Sequence, residues 1–354
     1  MILQKMDTQA RYQVADTDDI TITQNLPDAQ WRRFVENHPD GNIFHTPDLF
    51  QVFANTKGYR PKLWAATQGE QILALFLPVE VSLFAGLPRP FATRSVIYGG
   101  ILSSANDCGQ KALSQLIRKY QEETKHRVLF TEVRNLAETC GIQTAIQKAG
   151  FEFEDHNDYI VGLAMPLEQV WGNIHKSTRK EIRKAQRKRP LSIRVVDHRQ
   201  QLSQWYELIQ KSFSWNHAPL ADISLFEAAF DILYPKGMVQ FLIGSTSDGQ
   251  DIAASVALLY KKTIYGWYRG FDRKYSFCLP NDQMVWHVLQ WGAENGYKSF
   301  DFGGAGRPNE TYGPRNFKAK FGGRLVKYGR NKYINSPYEL KLSTFLYQLY
   351  RKIL

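Results

Sequence analysis

The chain has little of what metal-binding and disulfide-stabilised proteins contain. Its 354 residues include only three cysteines, Cys108, Cys140 and Cys278, which are far apart and odd in number. Its eight histidines form no pair at helical spacing. These residues supply neither a disulfide framework nor a zinc-binding spacing. We therefore expect no metal site.

Long apolar runs are also missing. The longest, Ile72 to Val79, contains a proline, and the first residues, MILQKMDTQARYQ, have no apolar stretch of the signal-peptide type. A membrane-spanning helix needs about 20 mostly apolar residues. We therefore expect a cytoplasmic protein, with peripheral contact to the inner face of the membrane as an alternative.

Nucleotide-binding glycine motifs and heptad repeats are absent too. The run Gly303-Gly304-Ala305-Gly306 fits neither GxGxxG nor GxxxxGK[ST], and no clear helix follows it directly to supply amide groups to a phosphate. The lack of heptads predicts that no coiled-coil arm is inserted.

Positive charge is abundant and concentrated. The formal net charge is +11, and residues 176–189 carry eight basic side chains against one acid, Glu181. A run of charged residues usually forms a solvated helix face. Here the basic side chains repel one another, and this repulsion favours an anionic partner. The residues predicted to contact a polyanion are Lys176, Arg179, Lys180, Arg183, Lys184 and Arg187.

Helical and strand patterns alternate along the chain, and the second half repeats the order of the first. With 43% apolar residues the chain has enough material for two cores. We predict an α/β fold with mixed sheets and two similar domains, residues 1–166 and 167–335. The second would begin with a long basic linker helix at 167–189, and an amphipathic helix would follow at 336–354.

Residues 301–323, DFGGAGRPNETYGPRNFKAKFGG, form the most distinctive stretch. A strand ending in Asp-Phe-Gly-Gly releases a loop rich in Gly, Pro, Arg and Tyr, a composition that brings backbone close to a ligand. We predict that this loop forms the floor of an active site.

Three tracts resemble a known family: WGNIHKSTRKEIRKAQRK, the segment IYGWYRGFDRKYSFCLPNDQMVWHVLQWGAENGYKSFDFGG, and FKAKFGG. They are similar to FemABX-type transferases, which resemble two tandem GNAT (acetyltransferase-like) domains. The likeness covers roughly residues 25–335. It implies transfer of an acyl group to an amine, with aminoacyl-tRNA donors and peptidoglycan-precursor acceptors. Related GNAT-like proteins imply acyl-CoA donors and polysaccharide or lipid acceptors.

The resemblance places Lys318 on the lysine beside Phe that the family keeps at its catalytic channel, and Tyr268 on an aromatic position facing that channel. Two departures bear on the substrates. The tract around Val52 and residues 218–221 lacks the basic groups that hold a nucleotide-linked acceptor. The segment at 277–282, FCLPND, lacks the R/Q-x-x-G-x-G/A pyrophosphate loop of acetyl-CoA enzymes, which weakens an acyl-CoA donor.

Acyl transfer needs a deprotonated amine and stabilisation of the charge on the tetrahedral intermediate. We expect Lys318 to stabilise that charge, and Asp301 and Tyr268 to orient the substrates, with Asp301 and Lys318 flanking one pocket. Alternatively, Asp301 caps the loop by binding the amides of Gly303 or Gly304. Further residues predicted to contact substrate are Arg269, Asp272, Arg307, Tyr312, Arg315 and Phe317.

Three functions are open at this point. The first is transfer of an aminoacyl group from aminoacyl-tRNA to an amine of a cell-envelope precursor, which could be lipid-linked. The second is an acyl-CoA-dependent N- or O-acyltransferase of surface polysaccharide biosynthesis. The third is a noncatalytic polyanion-binding module. In the first two the donor is a co-substrate, and we expect no tightly bound cofactor.

Overall fold

The computed structural model describes residues 19–82, 93–216 and 218–343, and it confirms the predicted mixed α/β class. The strands are β1 (Thr21–Thr23), β2 (Tyr59–Pro61), β3 (Trp64–Gln68), β4 (Gln71–Phe76), β5 (Pro78–Ser82), β6 (Thr93–Gly99), β7 (Leu102–Ser103), β8 (Phe130–Asn135), β9 (Glu152–Glu154), β10 (Asp158–Gly162), β11 (Ser192–Val195), β12 (Val239–Ser245), β13 (Asp251–Tyr260), β14 (Thr263–Phe271), β15 (Ser299–Gly304), β16 (Arg324–Val326) and β17 (Arg330–Ile334). The helices are α1 (Asp28–Asn37), α2 (Pro47–Ala54), α3 (Asp107–Thr124), α4 (Gln143–Lys148), α5 (Leu167–Asn173), α6 (Lys176–Lys188), α7 (Leu202–Trp215), α8 (Ile223–Leu233), α9 (Pro280–Glu294) and α10 (Gly313–Ala319).

The predicted C-terminal helix is only partly described. Residues 337–343 are helical, whereas residues 344–354 lie outside the described part of the chain. Across residues 19–82, 93–216 and 218–343, no helix combines the length and the apolar content needed to cross a bilayer.

The first half of the chain forms two sheets. One has the strand order β1-β3-β4-β7, and the other has the order β2-β5-β6-β8-β17-β9. Helix α3 packs on this half through a buried face, and the hydroxyl of its Tyr120 bonds both Ser95 and Thr131 on the parallel strands β6 and β8. These two bonds satisfy the buried phenol of Tyr120 within a mainly apolar core.

The second half is built on a sheet of order β11-β12-β13-β14-β15-β10-β16. Helices α7 and α8 cover one face, with Trp205 and Phe226 fully buried beneath them. Helix α9 covers the other face, and its apolar side packs over Ile264 and Phe300. Both faces of these strands are buried, so their sequences read as near-continuous apolar runs.

Two strands belong to the sheet of the opposite half of the chain. Strand β10 precedes residue 166 in the chain but lies between β15 and β16 of the second sheet, and β17 returns to lie between β8 and β9 of the first. The sheets therefore do not follow the predicted boundary at residues 166/167. Register across an antiparallel pair depends on contacts distant in sequence, so periodicity alone could not assign these strands.

Strands β14 and β15 separate after a short contact. They pair in parallel only from Thr263 with Ser299 to Tyr265 with Asp301. Beyond that point β14 stays with β13, and Trp267 forms a bulge opposite Val256 and Ala257. A bulge adds one unpaired residue and increases local twist, which opens a wedge between the two strands.

The predicted long helix at 167–189 is broken in two. Ile174 and His175 are extended between α5 and α6, and the amide of His175 donates to the carbonyl of Lys320 at 2.9 Å instead of continuing the helix. The Arg179 guanidinium donates to the carbonyls of Gly172 and Ile174. These contacts satisfy the end of α5, whereas the periodicity of the sequence had suggested one helix.

Gly322 makes this break possible and provides a test of it. Its φ is +78°, and a Cβ atom placed there would lie 2.2 Å from the carbonyl oxygen of Asn173. We expect Gly322→Ala to lower the free energy of unfolding by about 2 kcal/mol or more beyond the control Gly237→Ala. Gly237 also has a positive φ, +65°, but its Cβ would meet nothing within 4 Å. Equal losses in urea unfolding would contradict the close contact.

Candidate active site

Lys318 lies in the last turn of α10 and is buried, with 6% of its surface exposed. Its ammonium donates to the carbonyls of Phe302 and Gly303 at 2.9 Å and of Gly304 at 2.6 Å. Burial, with the charge of Arg269 acting in the same direction, lowers the pKa of Lys318 to about 8. All three donor hydrogens are engaged, so Lys318 cannot bind a substrate oxygen without releasing a carbonyl.

A cavity of about 320 Å³ occupies the wedge between β14 and β15. Its walls are mainly apolar and aromatic, with Phe213 and Trp267 on one side and Met284, Val285 and Val288 of α9 on another. Four residues predicted from the sequence line it: Tyr268, Arg269, Tyr312 and Lys318. An apolar cavity with a few convergent polar groups is typical of a site for a small ligand or for part of a larger one.

Arg269 is the cation of this cavity that is left without a polar partner. It is half-buried, and its guanidinium lies 4.6 Å from the ring centroid of Phe317 and 5.3 Å from that of Phe302. Among the described residues it makes no hydrogen bond or ion pair, and burial lowers its pKa to about 10. A desolvated guanidinium held only by ring faces is suited to receive an acceptor oxygen of a ligand.

Two buried carboxyl groups lie beside the end of β15. Asp301 accepts a 2.6 Å hydrogen bond from the amide of Gly303, and burial raises its pKa to about 6 although this bond and Lys318 oppose the shift. Asp158, opposite Gly304 on β10, has its pKa raised to about 7 by burial and by the charge of Asp301. A carboxyl group with a pKa near 7 is poised to exchange protons at neutral pH.

The predicted single pocket between Asp301 and Lys318 is not what the structure shows. Lys318 lines the cavity together with Phe300 and Phe302, whereas Asp301 is not among the described lining residues. Side chains alternate along a strand, so Asp301 points away from the face occupied by its two phenylalanine neighbours. The Lys318 ammonium thus lies at the strand end between a cavity face and a carboxyl face.

An ionic cluster joins this carboxyl face to the first half. Burial opposes ionisation of Glu132, but the guanidinium groups of Arg134 and Arg330 hold its pKa below the usual range. The Arg134 Nε donates to Glu132 at 2.6 Å, and Arg330 on the crossing strand β17 lies 3.4 Å from the same oxygen. The positive charge of Arg330 also acts to lower the pKa of Asp158. Strand β17 therefore contributes a positive charge to the site.

Tyr268 occupies the aromatic side of the cavity. Its ring packs at 4.9 Å from that of Phe226 and 5.7 Å from that of Phe213. Burial raises the pKa of Tyr268 well above its usual value, so its phenol stays protonated at neutral pH. It can therefore donate a hydrogen bond or shape the cavity, but it is not a general base.

Three of the predicted substrate-binding residues are engaged elsewhere. Asp272 caps the turn at Arg273–Cys278 by accepting from the amide of Lys274, and it also pairs with Lys211. Arg307 pairs with Glu154 at 2.9 Å. The Arg315 guanidinium donates to the carbonyls of Ala305, Arg307, Pro308 and Glu310. Each of these side chains holds a loop in place. The sequence alone could not distinguish this role from ligand binding.

The basic helix α6 presents most of its charges to solvent. Thr178, Ile182 and Ala185 are buried where α6 packs against α9. Of the six residues predicted to bind a polyanion, Arg179 is half-buried and caps α5, whereas five are exposed: Lys176, Lys180, Arg183, Lys184 and Arg187. Lys184 pairs with Glu181 at 3.8 Å. The exposed face therefore remains strongly positive.

The start of α9 carries its own carboxylate. Asp282 is buried in the first turn and pairs with Lys320 at 2.6 Å. The amides of Asp282 and Gln283 both donate to the carbonyl of Leu279 at 3.1 Å. A diphosphate placed at this helix start would meet an anion and amides that already have partners.

A second, larger cavity lies in the first half. Its volume is about 1210 Å³, and it is bounded by α1, the β3–β4 turn and the ends of β6 and β8. Three exposed carboxylates, those of Asp40, Glu70 and Glu138, lie on its rim. In the described part of the chain, no three His, Cys, Asp or Glu side chains are disposed to hold a metal ion.

The sequence did not identify Asp158, Glu132 or Arg330. Each lies in a short strand, and nothing in the local sequence distinguishes it from a charged residue at an exposed strand position. Asp158 becomes important because β10 pairs with β15 through a register shift between Asp158 and Ile160. Asp158 could have been found only by predicting that β10 joins the second sheet and pairs with β15.

Comparisons with known proteins agree with this architecture. Residues 172–318 match the family described as acetyltransferase (GNAT) domain. The fold is similar to that of FemX, with a TM-score of 0.69, 16% identity and coverage of 94% of this chain and 99% of that one. The L-PGS structure from Bacillus licheniformis has a TM-score of 0.57 at 12% identity, over 90% and 96% of the two chains.

A tandem GNAT protein from the clavulanic acid biosynthesis pathway has a TM-score of 0.54 at 7% identity, over 90% and 99% of the two chains. A sequence comparison with curated proteins found no match. The expected FemX-like tandem GNAT fold is therefore confirmed. The GNAT match also confirms the prediction of an acyltransferase.

Asp158 gives a pH-dependent prediction. In the folded state the pKa of Asp158, about 7, lies above its usual value of 3.8, so the folded state binds the extra proton and stability falls as pH rises between these values. We expect Asp158→Asn to remove this slope, so that its stability relative to the wild type increases from pH 4 to pH 7. Urea unfolding across that range measures it.

Asp222→Asn is the matched control, because the bond from Ser224 lowers the pKa of Asp222. Stability from Asp222 is present at neutral pH and lost as pH falls, so the deficit of this variant should shrink toward low pH. If both variants respond to pH alike, the raised pKa of Asp158 is refuted.

Proposed function

We propose that this acyltransferase moves an aminoacyl group from aminoacyl-tRNA to an amine of a cell-envelope precursor. The observation that supports the donor assignment is the start of α9, where Asp282 pairs with Lys320 and the amides of Asp282 and Gln283 are already bonded, whereas a CoA diphosphate would need free amides. A donor whose phosphates lie outside the wedge is compatible with this arrangement. The similarity in fold to FemX and L-PGS supports the same class of reaction.

The cavity is proposed to hold the acyl end of the donor. Its volume of about 320 Å³ suits an aminoacyl group, and its apolar walls exclude water from the ester. The guanidinium of Arg269 would donate to the ester carbonyl, where charge develops in the tetrahedral intermediate. Lys318 would add positive charge from the strand end while its three bonds keep the glycine backbone in place.

The acceptor amine is proposed to approach from the carboxyl face. An ammonium must lose a proton before it attacks a carbonyl carbon, and Asp158, with a pKa of about 7, would accept that proton. The amine nitrogen then forms the new bond to carbon, and the ester oxygen leaves with its electron pair and takes up a proton. Asp301 would position the end of the strand through Gly303.

The donor assignment has a direct test. Purified protein is supplied with charged tRNAs and, separately, with a panel of acyl-CoAs, each with an amine acceptor, and donor consumption is measured. We expect consumption of aminoacyl-tRNA and no tight CoA binding. Tight CoA binding without aminoacyl-tRNA consumption would instead favour the acyl-CoA-dependent alternative.

Substitution of Arg269 distinguishes an effect on transfer from an effect on stability. Because it has no polar partner among the described residues, Arg269→Met should leave the free energy of unfolding unchanged or raise it. Transfer should nevertheless fall by about 100-fold, the usual cost of losing a donor to the developing oxyanion. Calorimetry and single-turnover kinetics on the same preparation measure both effects.

Arg315→Met is the contrasting variant. Its guanidinium holds four carbonyls of the 305–310 loop, so its removal should lower stability. If Arg269→Met were as destabilising as Arg315→Met, Arg269 would have a structural role. If Arg269→Met kept full activity, the proposed role of Arg269 in transfer would be wrong.

A further inference from the structure

An exposed surface beside the proposed acyl cavity combines aromatic rings with cations. It consists of Trp215, Phe277, Arg189 and Arg273, and we name it the stacking surface. We propose that it binds a single-stranded segment of RNA, with bases stacked on its rings and phosphates on α6. This inference rests on the proposed function, because it supplies a place for the unpaired end of an RNA donor.

Trp215 is the last residue of α7 and has 62% of its surface exposed. The Arg273 guanidinium lies 4.6 Å from its ring centroid and also donates to Asn216 at 2.9 Å. The ring is thus held in place by a cation on one side. A single exposed ring is common on protein surfaces, so the inference depends on a second ring–cation pair at the same turn.

Phe277, within the Arg273–Cys278 turn, repeats the arrangement of an exposed ring beside a guanidinium, with 56% of its surface exposed. The Arg189 guanidinium lies 4.9 Å from its ring and donates to its carbonyl at 3.3 Å. Arg189 directly follows α6, so this contact links the ring to the basic helix. Each ring–cation pair includes one residue of the Arg273–Cys278 turn, Arg273 in the first pair and Phe277 in the second.

The surface lies between the basic helix and the cavity. The Arg273–Cys278 turn connects β14, which supplies Arg269 to the cavity, with α9, which supplies Met284 and Val285. On the other side, exposed lysines at positions 176, 180 and 184 of α6 recur every fourth residue, about 6 Å apart along the axis. A strand bound along α6 would therefore lead across the stacking surface toward the cavity.

The chemistry favours RNA over a membrane. Single-stranded nucleic acids are bound by rings that stack on bases, interleaved with cations that follow the backbone. Membrane-binding surfaces instead expose a continuous apolar face. Here each exposed ring packs against a guanidinium, and the neighbouring Asp272 is paired with Lys211 and adds no free negative charge.

The test compares two RNA probes. One is a hairpin with a single-stranded 3′ overhang, and the other is the same hairpin with a blunt end; both carry a fluorophore and no aminoacyl group. We expect the double variant Trp215→Ala/Phe277→Ala to bind the overhang probe at least about tenfold more weakly, with little change for the blunt probe. Lys180→Glu/Arg187→Glu should weaken both and reduce the salt dependence.

Tyr338→Ala is the matched control, because Tyr338 is 86% exposed but lies far along the chain from this turn. It should bind both probes as the wild type does. The proposal fails if the aromatic double variant keeps its affinity for the overhang, if it loses both probes equally, or if Tyr338→Ala is equally impaired. It also fails if the aromatic residues are needed for binding to anionic phospholipid vesicles and not for RNA.

The measurement is independent of turnover. If the overhang depends on Trp215 and Phe277 but charged tRNA is never consumed, the proposed function fails and the surface assignment stands. If charged tRNA is consumed while the aromatic variant binds the overhang normally, the surface assignment alone is wrong.

Discussion

The three hydrogen bonds from the Lys318 ammonium to the carbonyls of Phe302, Gly303 and Gly304 organise the centre of this protein. Burying an ammonium is costly, and three carbonyl acceptors offset that cost. These three bonds fix the end of β15, where Gly303 has a φ of +69° and its amide donates a hydrogen bond to Asp301. The positions of the cavity, of Asp301 and of Asp158 opposite Gly304 all follow from this one contact.

The contact also divides the site into two sides. The wedge between β14 and β15 leaves an apolar cavity with Arg269, while the opposite face collects carboxyl groups whose pKa values are raised by burial. A transfer reaction needs both environments: a dry place that stabilises developing negative charge on oxygen, and a base that titrates near neutral pH. The crossing strand β17 adds Arg330, so the first half contributes to the electrostatics of the second.

The tandem GNAT-like fold could be predicted from the sequence because helix and strand periods are local and because three tracts resemble a known family. Lys318, Arg269, Tyr268 and Phe317 lie in these tracts and Tyr312 lies in the loop at residues 301–323, and all five are in or beside the cavity. Arg315 and Asp272 were also predicted to contact substrate, but their polar groups bind loop backbone instead. Asp158 and the break at Ile174 depend on pairing between segments far apart in the chain, which local patterns do not encode.

The central claim is that the acyl end of the donor occupies the cavity beside Arg269. A crystal structure of the protein with a stable amide-linked aminoacyl-adenosine analogue tests it most directly. The account predicts the aminoacyl group between β14 and β15, with its carbonyl oxygen within hydrogen-bond distance of Arg269. An analogue bound in the larger cavity of the first half, with the wedge unoccupied, would contradict it.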